Sequence, residues 1–351
     1  MANTFLIYGS YGYTGELICE LSHKKGLKPI LAGRNAEKVK AQAEKYGFEY
    51  EAFSIDDAEK LRHILGKVTT VLHCAGPFMH TAKQMAAACL ATHTHYLDIT
   101  GEWTVFEMLA AMDAEAKAAG IILLPGVGYD VVPSDCLALY LKEKMPDAEQ
   151  LSLAIYSSGG RLSRGTKLTM AEGLGNASAM RKAGKIVAVP LAKYSRNITF
   201  GGKTRLFMSI PWGDIATAWY STGIPNIITY TGTNPTQLRI AKISHYLGFL
   251  LRLPFFKNKA KQKIYTGNND ISPEMREKAR SYIWGEVEDK QGNKQTAFLT
   301  MPDGYILTAM TAVAIVEKVL AGEISIGFQT PAKALGSHFI LEMEGTKRED
   351  I

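Results

Sequence analysis

Gly9, Gly12 and Gly15 are spaced G-x-x-G-x-x-G within the stretch FLIYGSYGYTGELI, residues 5–18. Glycines at this spacing permit a tight turn and remove side chains where the backbone must approach a bulky anion. Phe5 to Tyr8 is a short apolar run suited to a buried parallel strand, and Leu17, Ile18 and Leu21 mark one face of a helix. A glycine turn between strand and helix can cradle a pyrophosphate, whose charge meets the N–H groups and positive dipole end of the helix. The same triplet is compatible with a bare turn, and it departs by one residue from the usual G-x-G-x-x-G.

A second position bears on that choice. A dinucleotide site that takes NAD carries an acidic residue about 20 positions after the glycines, where it binds the ribose 2′-hydroxyl. Here Arg34 stands at that place, with Asn35 beside it, after the strand candidate LKPILA. An arginine there can pair with a 2′-phosphate, so the expected cofactor is NADP(H). The expected cofactor-binding residues are Gly9, Ser10, Tyr11, Gly12, Tyr13, Thr14 and Gly15 in the turn and Arg34 and Asn35 at the ribose. Cys74, Ala75, Gly76 and Pro77 are expected on the nicotinamide side.

Hydride transfer to a carbonyl, imine or enoyl group also needs a proton donor. Asp98, Glu102, Tyr129, Asp130 and Asp135 are candidates, with Tyr129 and Asp130 ranked first. Each has a structural role open to it, such as a helix cap or a held turn. Arg161 and Arg164, among glycines and hydroxyls before a helix, read either as an anion site for a substrate carboxylate or phosphate or as an ordinary loop. The Y-x-x-x-K of Tyr140 and Lys144 matches the catalytic pair of short-chain dehydrogenases, but it lies on a lysine-rich helix end without an upstream serine and reads as a solvent face. The histidines lack metal-ligand spacing, so no metal is expected.

The elements that must position these residues alternate. Helix Ala36 to Tyr46, strand Tyr50 to Ile55, helix Ala58 to Leu65 and strand Thr69 to His73 follow the first two strands. Helix Thr81 to Thr92, strand His95 to Ile99, helix Phe106 to Ala119 and strand Ile121 to Leu124 complete the series. The fold class expected is α/β: an N-terminal Rossmann domain with a doubly wound parallel sheet, residues 1–130. Ligands bind at the carboxyl ends of such strands, where residues 9–15, 74–78, 98–103 and 125–135 all fall. That coincidence favours a cofactor turn over a bare one.

The motifs GSYGYTG, AGRN, CAGPF, YLDITGE, PGVGYDVVPSD, STGIPN and GFQTPAKALG together resemble the saccharopine dehydrogenase-like oxidoreductases, a group that includes trans-acting enoyl reductases of lipid synthesis. The resemblance implies an NADP(H)-binding Rossmann domain followed by a mixed α/β substrate domain. It implies an oxidoreductase acting on a C=C, C=N or C=O bond. The rival reading is a protein that senses NADP or handles lipid on the same fold without turnover.

Residues 131–304 read as the second, α+β domain with a mixed sheet. It carries a hairpin at DKQGN, strands around Gly201 to Lys203, and a helix from Lys167 to Lys182. Residues 305–351 begin with a periodic helix, Tyr305 to Leu320, and by resemblance return to the Rossmann domain. The segment 238–263 has apolar residues that nearly encircle a helix, then five basic residues from Arg252 to Lys263. It reads as a buried helix with a basic tail, a membrane-surface contact, a roof for an acyl chain, or a dimer contact. The sheet of the second domain suggests a homodimer.

Composition bounds the rest. A net charge of +6 spread along the chain does not suit a nucleic-acid protein. Four cysteines without C-x-x-C spacing suit a reducing compartment. No apolar run is long enough to span a bilayer, so a cytoplasmic protein is expected, with membrane association through 238–263 left open. The expected partners are a small-molecule or acyl substrate and a second copy of the chain.

Overall fold

The computed structural model describes residues 4–159, 162–173, 175–200, 202–246, 248–267 and 272–351. Alternation of short apolar strands with amphipathic helices builds the first half. Strand β1 (Phe5–Tyr8) leads through the glycine turn to α1 (Tyr13–Lys24), then β2 (Ile30–Gly33) and α2 (Ala36–Tyr46). The alternation runs on through β3 (Glu49–Ala52), α3 (Ala58–Leu65), β4 (Thr70–His73), α4 (Phe78–Thr92) and β5 (His95–Asp98). Helices α5 (Trp103–Ala110) and α6 (Asp113–Ala119) lead to β6 (Ile122–Leu124). Strands β1, β4 and β6 are buried at every position, as strands covered by helices on both faces must be.

Next come α7 (Val132–Lys144), β7 (Gln150–Ser158), α8 (Arg164–Glu172), β8 (Ser178–Lys182), β9 (Lys185–Val189), β10 (Ser195–Phe200) and β11 (Lys203–Ile210). They are followed by α9 (Asp214–Thr222), β12 (Asn226–Gly232), α10 (Pro235–Tyr246), α11 (Gly248–Leu251), α12 (Pro254–Thr266) and α13 (Pro273–Lys278). The chain ends with β13 (Arg280–Glu288), β14 (Lys294–Met301), α14 (Gly304–Leu320), β15 (Gly327–Phe328), α15 (Pro331–Leu335) and β16 (Lys347–Asp350).

Two compact units result. One comprises residues 1–132 and 305–336, the other 133–304 and 337–351. In the first, a parallel sheet runs β15-β6-β5-β4-β1-β2-β3, so the strand order reverses between β1 and β4. That is the doubly wound Rossmann arrangement. Strand β15 is an addition that periodicity does not announce: it is two residues long and is held to α6 by Phe328 N–H donating to Asp113 Oδ1 at 2.7 Å.

In the second unit a mixed sheet runs β10-β11-β12-β7-β13-β14-β16. Strands β7 and β12 pair in parallel, and the DKQGN hairpin joins antiparallel β13 and β14. Helix α7 packs on this sheet at Gly285, where a Cβ would meet Leu141 Cδ1 at 2.7 Å and Leu137 Cδ2 at 3.1 Å. The helix expected over 167–182 is shorter than its pattern: α8 ends at Glu172, and Ser178–Lys182 is a strand paired with β9. The turn between them uses Ala183 and Gly184, both at positive φ, a hairpin conformation that overrides the local helical pattern. The 238–263 segment is likewise not one helix. It divides among α10, α11 and α12, with Pro254 opening the last.

Candidate functional site

The site grows from the turn after β1. Gly9 has φ +85° and donates its N–H to Ala32 O at 2.8 Å, which draws the turn onto the end of β2. A Cβ on Gly9 would lie 2.9 Å from both Cβ and N of Ala75, so the turn also presses on the loop after β4. A Cβ on Gly15 would lie 2.4 Å from Ser10 O and 2.5 Å from Gly9 O, so the first turn of α1 can pack on this loop only with a glycine there. Gly12 differs. Its nearest clash is a single backbone oxygen at 3.2 Å, and its φ of −71° suits any residue.

Gly12 is also the N-cap of α1 and supplies no capping side chain. Helices α2 and α3 are capped by Asn35 and Asp57, and the first N–H groups of α4 are taken by Glu102. Helix α1 is thus the one of these four with no side-chain cap at its start, an arrangement that suits a pyrophosphate turn. The glycine cradle fits a dinucleotide pyrophosphate for the same steric reasons that make its glycines necessary.

Sequence reading missed what holds this turn. Gln42 on α2 donates from Nε2 to Ser10 O at 2.9 Å and to Glu16 Oε2 at 2.5 Å. Glu16 also accepts from Lys45 Nζ at 2.6 Å and Tyr46 OH at 2.8 Å. Burial alone would raise the Glu16 pKa, but these three donors outweigh it and lower it. The only signal in the sequence was helical spacing of Gln42, Lys45 and Tyr46, which carries no pointer to Ser10.

Tyr11 connects the turn to the basic corner after β2. Its OH accepts from Asn35 N–H at 3.2 Å, its ring lies under Lys38 Nζ at 6.0 Å, and it fills the space over Gly33, where a Cβ would lie 2.5 Å from Tyr11 Cε1. Arg34 is exposed at this corner. Asn35 spends its Oδ1 on capping α2, accepting from Lys38 N–H at 2.9 Å.

The loop after β4 is fixed from both ends. Cys74 N–H donates to Tyr8 O at 2.8 Å, Thr81 Oγ1 donates to Ala75 O at 3.0 Å, and the Gly76–Pro77 bond is cis. Glu102 accepts from Phe78 N–H at 2.8 Å and from Met79 N–H at 2.7 Å, so it braces this loop from the end of β5. Burial pushes the Cys74 thiol well up, which keeps it protonated. His73 is buried beneath the loop and bonds Thr81 Oγ1 through Nε2 at 2.8 Å; burial pulls its pKa down to about 3.

Of the five candidate proton donors, three are structural. Asp98 is fully buried and accepts from Tyr96 OH at 2.6 Å and from Thr100 and Gly126 N–H, both at 2.9 Å. It ties the loops after β5 and β6 together. Burial raises its pKa to about 6 despite those donors. Glu102 braces α4, as above. Asp135 is fully buried in the second unit and accepts from Ser221 Oγ at 2.6 Å. In each case a carboxylate at a strand or helix end looks the same in sequence whether it faces a ligand or a neighbouring loop.

Tyr129 and Asp130 remain, half-buried at the carboxyl end of β6. Their loop is braced by α14: Tyr129 N–H donates to Thr308 Oγ1 at 3.0 Å, and Thr311 Oγ1 donates to Val127 O at 2.8 Å. At the head of the same helix, Tyr305 meets the Tyr13 ring edge-on at 4.9 Å between centroids. A Cβ on Gly101 would lie 3.0 Å from Asp130 Oδ2, so Gly101 makes room for that carboxyl. Burial raises the Asp130 pKa to about 6.

Arg161 lies outside the described residues. Arg164 is exposed at the first position of α8, whose start is capped by Ser163 Oγ accepting from Thr166 N–H at 3.2 Å. Tyr140 donates to Asp350 Oδ1 at 2.8 Å, Lys144 pairs with the same carboxylate, and Arg348 stacks on the Tyr140 ring at 3.4 Å. The Y-x-x-x-K pair thus anchors β16. Among the described residues no three His, Cys, Asp or Glu side chains cluster as metal ligands, and no helix is long and apolar enough to cross a membrane.

Comparison with known proteins agrees with this architecture. Residues 5–124 match the family described as the saccharopine dehydrogenase NADP binding domain. A Mycobacterium tuberculosis protein named as a trans-acting enoyl reductase is 29% identical over 186 residues, 49% of this chain and 44% of that protein. The human saccharopine dehydrogenase-like oxidoreductase is 25% identical over 202 residues, 50% of this chain and 47% of that protein. The match therefore spans about half the length of these curated relatives. Yeast saccharopine dehydrogenase (L-Glu forming), in its apo form, shares the fold over 99% of both chains with a TM-score of 0.67 at 14% identity.

Proposed function

We propose that this chain, whose residues 5–124 match the saccharopine dehydrogenase NADP binding domain, is an NADPH-dependent reductase. Its substrate would carry a C=C, C=N or C=O bond in a metabolite or a lipid-like molecule. The observation that carries this reading is the pairing of a sterically required glycine turn, uncapped at α1, with Arg34 exposed one strand away. Arginine at that corner offers a bidentate partner for a 2′-phosphate, and no acidic residue stands there to select the 2′-hydroxyl of NAD instead.

When bound, NADPH supplies a hydride. The chain's own task is to orient the two reactants and to deliver a proton to the atom left electron-rich. The turn at Gly9–Gly15 holds the pyrophosphate, and the loop Cys74–Pro77, pressed against Gly9, borders the nicotinamide. Asp130 is the proton donor we assign. Its pKa of about 6 leaves a useful protonated fraction near neutrality, and its neighbour Gly101 leaves its carboxyl room. Tyr129, on the same braced loop, is the second candidate.

A titration of NADPH and NADH against wild type and Arg34→Ala tests the cofactor assignment. NADPH should bind more tightly than NADH. Arg34→Ala should lose about 1.5–3 kcal/mol for NADPH, roughly 10- to 100-fold, and leave NADH unchanged. Equal loss for both nucleotides would sink the 2′-phosphate role of Arg34. Tight NADPH binding with no substrate-dependent oxidation across carbonyl, imine and enoyl panels would favour a cofactor-sensing protein.

A further inference from the structure

Residues 235–266 contain seven of the chain's 40 lysines and arginines and none of its 34 acidic residues, so the rest of the chain is close to neutral. The same stretch exposes large apolar side chains. Ile240 and Ile243 lie 61% and 59% exposed on α10, Phe249 is 70% exposed on α11, and Phe255 is 68% exposed on α12. Helix α12 has no buried residue at all. A solvated helix does not ordinarily show phenylalanine to water beside a run of lysines.

The basic residues divide into two sets. Arg252, Lys257 and Lys261 hold the segment down: they donate to Gly175 O at 2.8 Å, to Glu172 O at 2.7 Å and to the Glu172 carboxylate at 2.5 Å. Lys259 and Lys263 are exposed and form no ion pair among the described residues. The first set fixes the surface, and the second leaves its positive charge facing outward with the phenylalanines.

We infer that the face formed by α10, α11 and α12 docks on an anionic lipid bilayer, with Phe249 and Phe255 entering the interface and Lys259 and Lys263 meeting lipid headgroups. Charge decides the occupant. A second copy related by a two-fold axis would bring the same basic face against itself, with no acid in the segment to answer it. An anionic membrane surface answers both the charge and the exposed rings.

Flotation of the full chain with vesicles tests this, comparing phosphatidylcholine alone with phosphatidylcholine containing phosphatidylserine. Binding is expected only with phosphatidylserine, and it should fall as salt is raised. Lys259→Gln with Lys263→Gln should weaken it about 25-fold, about fivefold for each lysine. Phe255→Ser should weaken it about tenfold. All three positions are exposed, so thermal unfolding should be unchanged and will separate lost docking from lost fold. A wild type that stays unbound with phosphatidylserine vesicles, or that binds both vesicle types equally, overturns the inference. So does a chain that dimerises without vesicles and becomes monomeric on Phe255→Ser.

Discussion

Ser221 Oγ donates to Asp135 Oδ1 at 2.6 Å across 86 residues of sequence. The bond joins the two motifs PGVGYDVVPSD and STGIPN inside the second unit. A carboxylate that reads as chemistry in sequence is here the buried half of a clamp between α7 and α9. Ser221→Ala leaves a buried carboxylate oxygen with one donor fewer. It should cost about 1–3 kcal/mol in urea unfolding and leave NADPH affinity at the wild-type value. A large loss of affinity with intact stability would return Asp135 to the site.

The three turn glycines should separate by phenotype. Gly9→Ala and Gly15→Ala force backbone contacts below 3.0 Å and should destabilise the protein by about 2 kcal/mol or more. Gly12→Ala has an ordinary φ and one contact at 3.2 Å, so its stability should stay within about 1 kcal/mol of wild type. Its new methyl, however, stands at the uncapped start of α1, and NADPH affinity should fall at least tenfold. Unfolding curves and titrations of the three variants check the split.

Two buried groups of opposite sign shape the pH dependence. Asp98 has a folded pKa raised to about 6, so the native state holds an extra proton between that value and the unfolded carboxyl range. Its contribution is fully present at low pH and is lost as pH rises through 6. His73 has a folded pKa lowered to about 3. The unfolded state therefore binds the extra proton below about 6.5, and stability is lost as pH falls. Between pH 4 and 6 these two slopes oppose each other, and Asp130, also raised to about 6, adds to the Asp98 side. Relative to wild type, Asp98→Asn should tilt the stability curve across that window toward loss on acidification, by up to about 1.4 kcal/mol per pH unit. His73→Gln should produce the opposite tilt. Parallel curves for all three proteins would refute both assignments.

Asp130→Asn should lower turnover at least tenfold while leaving the NADPH Kd unchanged, because the carboxyl is assigned to proton delivery and not to the nucleotide. Unaltered turnover would pass the role to Tyr129, tested by Tyr129→Phe.

Tyr140→Phe and Lys144→Ala should leave both nucleotide binding and turnover intact. Their shared partner Asp350 is about half exposed, so the stability cost should be small. Lost turnover in either variant would revive the short-chain dehydrogenase reading of that pair.

The first half of the fold is legible in the order of residues because its physics is local. Buried parallel strands read as short apolar runs, helices as a 3.6-residue period, and the turn between them as glycines that only the backbone needs. Gly9, Gly15 and Arg34 could be named from spacing alone. The second unit is less legible. The hairpin of β8 and β9 rests on positive φ at Ala183 and Gly184, which a helical pattern of neighbours conceals. The roles of the carboxylates were decided only by tertiary structure. Asp98, Glu102, Asp130 and Asp135 all lie at or near a strand end or a helix start, and nothing in their neighbours distinguishes them. Gly126, Phe78 and Ser221 come from other parts of the chain to bond Asp98, Glu102 and Asp135. A hydrogen bond between residues far apart in sequence has no periodicity, so only the folded chain can assign it.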